Sequence, residues 1–401
     1  MKKKKNSNLV WDFIDNHTEL IAFIIITVLA LVVRGIVVKY NSGDYDMFLK
    51  PWFNDLKNYG GLPGLAYDVG NYTPIYMTIL AILTYLPLDS LVSIKIVSII
   101  FDFIGALAIR AIVLELLSDK KYKEKIALLF YGIYLFIPTI FINSAYWGQS
   151  DGIYTAFVLI SIYYLIKKNY KLGFIFFSVA FAFKFQAIFI FPLYVLMYIA
   201  DHQNIKFRYF LYIPLTVFVL SLPKVIYSGD LLAGFKVYIN QAGTYSQYIT
   251  LNFPNFYGIF LSRDGNSNLI NTPFKDMSTL GIIITFVILV VLAYFVHAKK
   301  IKFDKKAIIE FGLLSILLTT FFLPQMHERY LFMGDAIGIL FLVINMKRYY
   351  VPIMIELISL NGYMYLLYSG FAVNFSTLSI VFLILIILYT KDVVKKYFCF
   401  T

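Results

Sequence analysis

Tyr72-Thr73-Pro74-Ile75-Tyr76-Met77-Thr78-Ile79-Leu80-Ala81-Ile82-Leu83-Thr84-Tyr85-Leu86-Pro87 is the stretch on which the topology of this chain turns. It is apolar for most of its length, short for a bilayer crossing, and carries Pro74 and Pro87 near its ends. Longer apolar runs surround it, at about 20–38, 91–117, 126–143, 151–167, 209–226, 278–296, 307–323, 331–346, 350–370 and 376–391. Each approaches the roughly 20 residues that cross a hydrocarbon layer as a helix. A further run, 171–199, is interrupted by Lys184 and Gln186 and reads as two short segments meeting at that polar pair.

Lysine and arginine decide whether 72–87 crosses, because in short loops they stay on the cytoplasmic side. They cluster at Lys2–Lys5, Lys120–Lys125, Lys167 to Lys171, Lys206 with Arg208, Lys299–Lys306, Lys347 with Arg348, and Lys391–Lys396. If 72–87 stays on one side and 171–199 crosses twice, all seven clusters face the cytoplasm with about twelve crossings. If 72–87 crosses, most later clusters move outside. The expectation is therefore an all-α polytopic membrane protein with 72–87 as a re-entrant or interfacial piece. Residues 1–19 and 392–401 are expected to be cytoplasmic tails around a single membrane domain, 20–391. Its long outer loops are 39–90 and 227–277, and 144–150, the 184–186 break and 324–330 share the outer side.

Composition agrees. The hydrophobic fraction is 60% and the mean hydropathy +0.75, above the roughly half-apolar make-up of soluble domains. The formal charge of +12 sits in short clusters between apolar runs, so it reports topology and no nucleic-acid partner is expected. Cys399 is the single cysteine, which leaves no disulfide framework and no cysteine metal site. Met1–Lys5 resembles the start of a signal peptide. Polar residues follow before the apolar run, and Arg34 and Lys39 come after it without a small-residue cleavage site, so it reads as a retained first helix.

The groups that can do chemistry collect on the expected outer side. Asp44-Tyr45-Asp46 follows the first run; two carboxylates two positions apart serve as a general base and its partner, ligate a divalent cation, or simply mark a turn. The same loop continues into Gly70-Asn71-Tyr72-Thr73-Pro74, with Asn71 and Tyr72 as candidate substrate contacts. Asn143-Ser144-Ala145-Tyr146-Trp147-Gly148-Gln149-Ser150-Asp151-Gly152 joins two runs; turn chemistry and an interfacial Trp147 account for part of it, but not for Gln149 and Asp151 at the start of an apolar helix. Lys184 and Gln186 lie inside an apolar stretch, where a lysine is costly unless it pairs, faces water or snorkels. His327-Glu328-Arg329 stands between two further runs; His and Arg there suit a phosphate, or an interfacial salt-bridged turn. Asp102 and Arg110, eight residues apart in one run, read as a structural pair.

In this order, D-Y-D after the first helix, N-Y-T-P, W-G-Q-S-D-G, an embedded K-F-Q and then H-E-R-Y, the chain resembles the bacterial relatives of GPI mannosyltransferases, within the C-type membrane glycosyltransferase superfamily. The resemblance covers roughly residues 20–350. It implies a polyprenyl-phosphate-linked sugar donor, a glycolipid or polysaccharide acceptor, catalysis on the extracytoplasmic side, and a loop carboxylate as base. Asp44 matches that position, with Asp46 second. Trp147, Gln149, Asp151, Lys184, Gln186, His327, Glu328 and Arg329 then belong to the pocket for sugar and phosphate. No cofactor is required, although D-Y-D tolerates a divalent cation. The expected activity is hexose transfer with inversion; the rival readings are a lipid-linked sugar flippase and a polysaccharide polymerase or ligase. In the 227–277 loop, Tyr238, Tyr245, Tyr248 and Tyr257 suit a sugar acceptor or the membrane interface.

Overall fold

The structure, a computed structural model, describes the backbone of residues 9–244, 248–260, 273–368 and 373–399. The Lys2–Lys5 cluster and Tyr245 lie outside the described residues. The chain is helical almost throughout. Among the described residues one β pairing occurs, two residues long and parallel, with Thr250 opposite Met326 and Leu251 opposite His327.

Five helices are long and apolar enough to cross a membrane: His17–Val37, Ser90–Leu116, Met277–Ala298, Met346–Tyr368 and Phe375–Tyr397. Two bent pairs raise the number to seven. Lys123–Phe136 continues into Pro138–Trp147 at 52°, and Phe207–Leu220 into Leu222–Ser228 at 47°. The first bend has a plain cause, since Ile137 is extended ahead of Pro138, as a residue before proline prefers. The protein is thus a helical, membrane-embedded chain, but the expected count of about twelve crossings is not met. Asp151–Ile166, Tyr170–Phe183 and Phe332–Ile344 end after 16, 14 and 13 residues. At 1.5 Å per residue these reach about 20–24 Å, short of a hydrocarbon core of about 30 Å. Lys305–Phe322 starts on two lysines and carries Glu310. Apolar runs in the sequence pass over such breaks because a polar residue at a helix end barely lowers their mean hydropathy.

Residues 72–87 form a ten-residue helix, Pro74–Leu83, whose ends are both tied to neighbouring segments. Before it, the Thr73 hydroxyl donates to the Phe183 carbonyl at 2.8 Å. After it, the Tyr85 hydroxyl donates to the Gly60 carbonyl at 2.8 Å and accepts from the Leu62 amide. Its Tyr76, Met77 and Leu80 pack with Phe53, Leu56 and Leu65 into a small core of their own beside the main helical one. The 171–199 run is broken as expected. Tyr170–Phe183 stops at Lys184, which is extended (φ −155, ψ 130), and a short 3-10 turn leads into Phe191–Ala200.

Ion pairs sort the helix ends into two sets. At one end Glu115 binds Lys167 and Lys305, Glu310 binds Lys396, and Arg348 binds Asp392. The Asp151–Ile166 helix runs from its acidic first residue to this end, so the 144–151 motif lies at the end opposite Lys167, Lys305, Arg348 and Lys396. A buried polar network fixes the motif end. Lys95 donates to the carbonyls of Val38, Tyr40 and Tyr146. Asp102 accepts from Arg34 Nε at 2.9 Å, with Arg34 Nη2 in ion-pair contact at 2.8 Å, and from the Ser144 hydroxyl at 2.5 Å. The anticipated Asp102–Arg110 pair does not form, since Arg110 turns to Glu124 instead. Two turns separate residues eight apart, and each found a nearer partner on another helix.

Arg34 and Asp102 are both fully buried, so removing one strands the other's charge. Asp102→Ala is expected to destabilise the protein by about 3–5 kcal/mol. Thermal unfolding in detergent checks this: Asp102→Ala should melt well below wild type, and Arg34→Met with Asp102→Leu should recover most of the loss. An unchanged melting temperature for the single variant contradicts the role given to the pair.

Candidate functional site

Two π-helical turns shape the site. Tyr45–Leu49 follows Asp44, and Ile142–Trp147 ends at Gly148. Such turns hold an extra residue per turn and recur at functional positions. Gly148 has φ 87, a left-handed conformation that a side chain disfavours, and a Cβ there would sit 3.3 Å from the Lys95 stem. The reversal at Gly148 aims the side chains on both sides of it at the same carboxylate. Trp147 Nε1 and Gln149 Nε2 donate to Asp44 Oδ2 at 2.9 and 2.6 Å. The Tyr72 hydroxyl donates to Gln149 Oε1 at 3.3 Å. Ser42, two residues before Asp44, donates to the Trp147 carbonyl and locks the two loops together.

A second set of charges lies beside this one. Asp151 is fully buried at the first turn of its helix, where an anion is favoured by the helix dipole. Its Oδ1 accepts from Lys184 Nζ at 2.5 Å, and its Oδ2 from Asn143 Nδ2 at 2.9 Å, with Arg329 Nε at 3.6 Å. Asn143 also donates to the Tyr363 hydroxyl. Arg329 is bound by Glu328 at 2.7 Å, and His327 Nδ1 lies 3.8 Å from the other Glu328 oxygen. The cations rest on aromatic faces, Lys184 5.5 Å from the Tyr72 ring and Arg329 5.5 Å from the Trp147 ring. The β pairing of Leu251 with His327 brings the 248–257 segment to the same place.

These groups surround a cavity of about 640 Å³. Asp44, Asn71, Tyr72 and Gln149 line it, as do Lys184, Gln186, His327, Glu328 and Arg329. Trp147 and Asp151 lie one layer behind, holding the lining residues from the back. Asp46 is not brought to the cavity; it is exposed and bonds to Asn41 and Lys50, so the two carboxylates of D-Y-D do not converge. Among the described residues no group of three or more His, Cys, Asp or Glu side chains is arranged to hold a metal. Much of the lining is apolar, with Phe183, Phe185, Ile188, Phe189, Ile282 and Leu323. Tyr238 packs outside the lining on Phe181, donating to the Phe181 and Ala182 carbonyls. The sequence reading passed over Asn143 and Gln325, although both stood inside segments it singled out, and missed Asn252, which carries no motif at all.

Compared with known proteins, the chain matches no protein-family model and no curated protein. The site is accordingly read from its own chemistry.

Two cations, Lys184 and Arg329, face three carboxylates, Asp44, Asp151 and Glu328, so no surplus of positive charge fills the cavity. Burial pushes the Glu328 carboxyl up, but the His327 hydrogen bond and the Arg329 charge outweigh it and hold the group at about 2. Burial opposes the Arg329 charge, yet Glu328, Tyr72, Asp151 and Asp44 hold its proton more tightly than usual. Burial also raises the Tyr72 hydroxyl to about 12 against the pull of Arg329, so Tyr72 stays a neutral donor.

The depressed Glu328 group favours the folded state above the ordinary carboxylate range near 4.3, and that contribution disappears as pH falls towards 2. Melting temperature is therefore expected to stay level from pH 8 to about 5 and then to fall more steeply in wild type than in Glu328→Gln. Parallel pH profiles for the two proteins contradict the assignment.

Proposed function

We propose that the protein is a membrane glycosyltransferase that moves a hexose from a polyprenyl-phosphate sugar to a glycolipid or polysaccharide acceptor on the extracytoplasmic side. The observation that carries this reading is the placement of Asp44 and the Lys184–Arg329 pair on a single, largely apolar cavity. Asp44 Oδ2 is occupied by Trp147 and Gln149, which leaves Oδ1 without a hydrogen bond among the described residues and oriented by the other oxygen's two donors. It is the base for the acceptor hydroxyl. Lys184 and Arg329 meet the phosphate with their remaining N–H groups and stabilise the charge that grows on it as the sugar leaves. The apolar lining suits a lipid carrier better than a nucleotide. The acceptor oxygen forms its bond to the anomeric carbon as the carbon–oxygen bond to the phosphate breaks, the proton passes to Asp44, and the configuration inverts.

The extracytoplasmic reading is supported by the positive-inside rule, since the motifs lie at the end of the bundle opposite Lys167, Lys305 and Lys396. The resemblance described from the sequence gives the same donor and the same base. A flippase reading drew on Asp102, Arg110 and Lys184; Asp102 and Arg110 are paired elsewhere and do not line the cavity, while Lys184 lines it in an ion pair with Asp151.

Purified protein in lipid, supplied with a panel of radiolabelled polyprenyl-phosphate hexoses and crude acceptor glycolipid, is expected to transfer sugar with inverted configuration. Asp44→Asn should lower the rate by about a hundredfold or more while donor binding persists, as expected for loss of a general base. A product of retained configuration, or an Asp44→Asn protein as active as wild type, overturns the mechanism.

A further inference from the structure

Two residues with left-handed backbones flank the β pairing that joins the 248–257 segment to the His327 strand. Gln325 has φ 61 immediately before Met326, and Asn252 has φ 54 immediately after Leu251. The Gln325 amide N–H closes the end of the pairing by donating to the Ile249 carbonyl. Among the described residues only Lys168 and Lys300 share this backbone conformation without being glycine, and both stand just past helix ends, where it is routine. Asn252 and Gln325 have no such excuse. Backbones of this kind persist where the surroundings enforce them, and they collect at ligand sites.

Both residues carry side-chain amides and both line the cavity. Asn252 is buried, and its Oδ1 has no hydrogen-bond partner. Gln186 Oε1, on the same cavity, is likewise buried and unpartnered. Buried amides without partners are rare in proteins, because each forfeits the hydrogen bonds it made to water. A carbonyl oxygen needs a donor, which a phosphate oxygen does not supply. An amide also presents N–H groups, so the pair matches a ligand whose groups both donate and accept. That is a ring of hydroxyls.

We propose that Asn252 and Gln186, with Gln325 setting the backbone, form an uncharged subsite that reads the hydroxyl groups of a sugar beside the Lys184 and Arg329 cations of the same cavity. The inference rests on the proposed function for the origin of that sugar, which arrives either on the carrier phosphate or on the acceptor.

Binding of three probes to the detergent-purified full chain separates these outcomes: bare polyprenyl phosphate, a panel of polyprenyl-phosphate hexoses, and acceptor glycolipid. Asn252→Gly keeps the left-handed backbone and removes the amide; Gln186→Leu removes the second amide without touching the 248–257 segment. Each is expected to weaken a sugar-bearing lipid roughly three- to tenfold, the worth of one hydrogen bond, and to leave bare polyprenyl phosphate unchanged. Loss confined to the hexose carriers assigns the donor sugar, and loss confined to the glycolipid assigns the acceptor sugar. Equal loss for bare and sugar-bearing lipids, or no loss for either, overturns the subsite. Wild-type protein that binds bare carrier and hexose carrier equally and ignores glycolipid also overturns it while leaving the carrier reading intact. Wild-type protein that binds none of the three overturns the proposed function together with this inference. A melting temperature for Gln186→Leu close to wild type confirms that its losses are local.

Discussion

The Asp151 carboxylate holds the site together. It is buried at a helix N-terminus, where the helix dipole favours an anion, and it is bound at once by Lys184, Asn143 and Arg329. Those three come from different parts of the chain: the break in the 171–199 run, the second π-helical turn, and the 324–330 connection. Take Asp151 away and Lys184 becomes a buried cation with no anion in contact, which is the most destabilising way to break such a pair. Because the partners are few and directional, the cations keep fixed positions in an otherwise apolar cavity. In the proposed reaction such fixed cations need no rearrangement to meet a phosphate, which is the condition under which electrostatic stabilisation contributes most.

A second polar network carries the other half of the site. Lys95 satisfies three carbonyls at the end of the first helix and in the 142–147 turn, while Asp102 ties Arg34 to Ser144. Within a bundle that offers no water, such groups stay charged and hydrogen-bonded only if every one has a partner. Lys95, Arg34, Asp102 and Ser144 each find at least one partner here, and the result is that the Asp44 loop and the Trp147-Gly148-Gln149 loop are fastened to the same helix. Asp44 and Asp151 thus belong to separately anchored frameworks that meet at Trp147, which donates to Asp44 and lies under Arg329.

Most of this site was legible in the sequence because its parts are polar residues placed where polarity is costly. Lys184 and Gln186 inside an apolar run, and Gln149 and Asp151 at a helix start, announced themselves by that contrast. Asp46 was misjudged with Asp44 because spacing alone does not say which carboxylate faces inward; the π turn at Tyr45 aims one at the cavity and leaves the other to Asn41 and Lys50. The number of crossings was misjudged for a different reason. Hydropathy marks apolar stretches, whereas the length of a helix is set by where its backbone stops, and stops such as Ser150, Lys184 and Asn345 cost a window of 20 residues little hydropathy. Asn252 was invisible, since an amide in a long loop is ordinary until a strand pairing brings it beside His327, and Gln325 was passed over beside the charged residues of its own connection because sequence does not show its left-handed backbone.

The central claim is that this cavity receives the phosphate of a lipid carrier between Lys184 and Arg329, with Asp44 facing the sugar it bears. An experimental structure of the protein in a lipid nanodisc with polyprenyl phosphate tests it most directly. The account predicts density for the phosphate within hydrogen-bonding distance of Lys184 and Arg329, and for the isoprenoid chain along the Phe183 to Phe189 lining. A cavity without density, or a phosphate bound instead among the lysine clusters at the other end of the bundle, contradicts it.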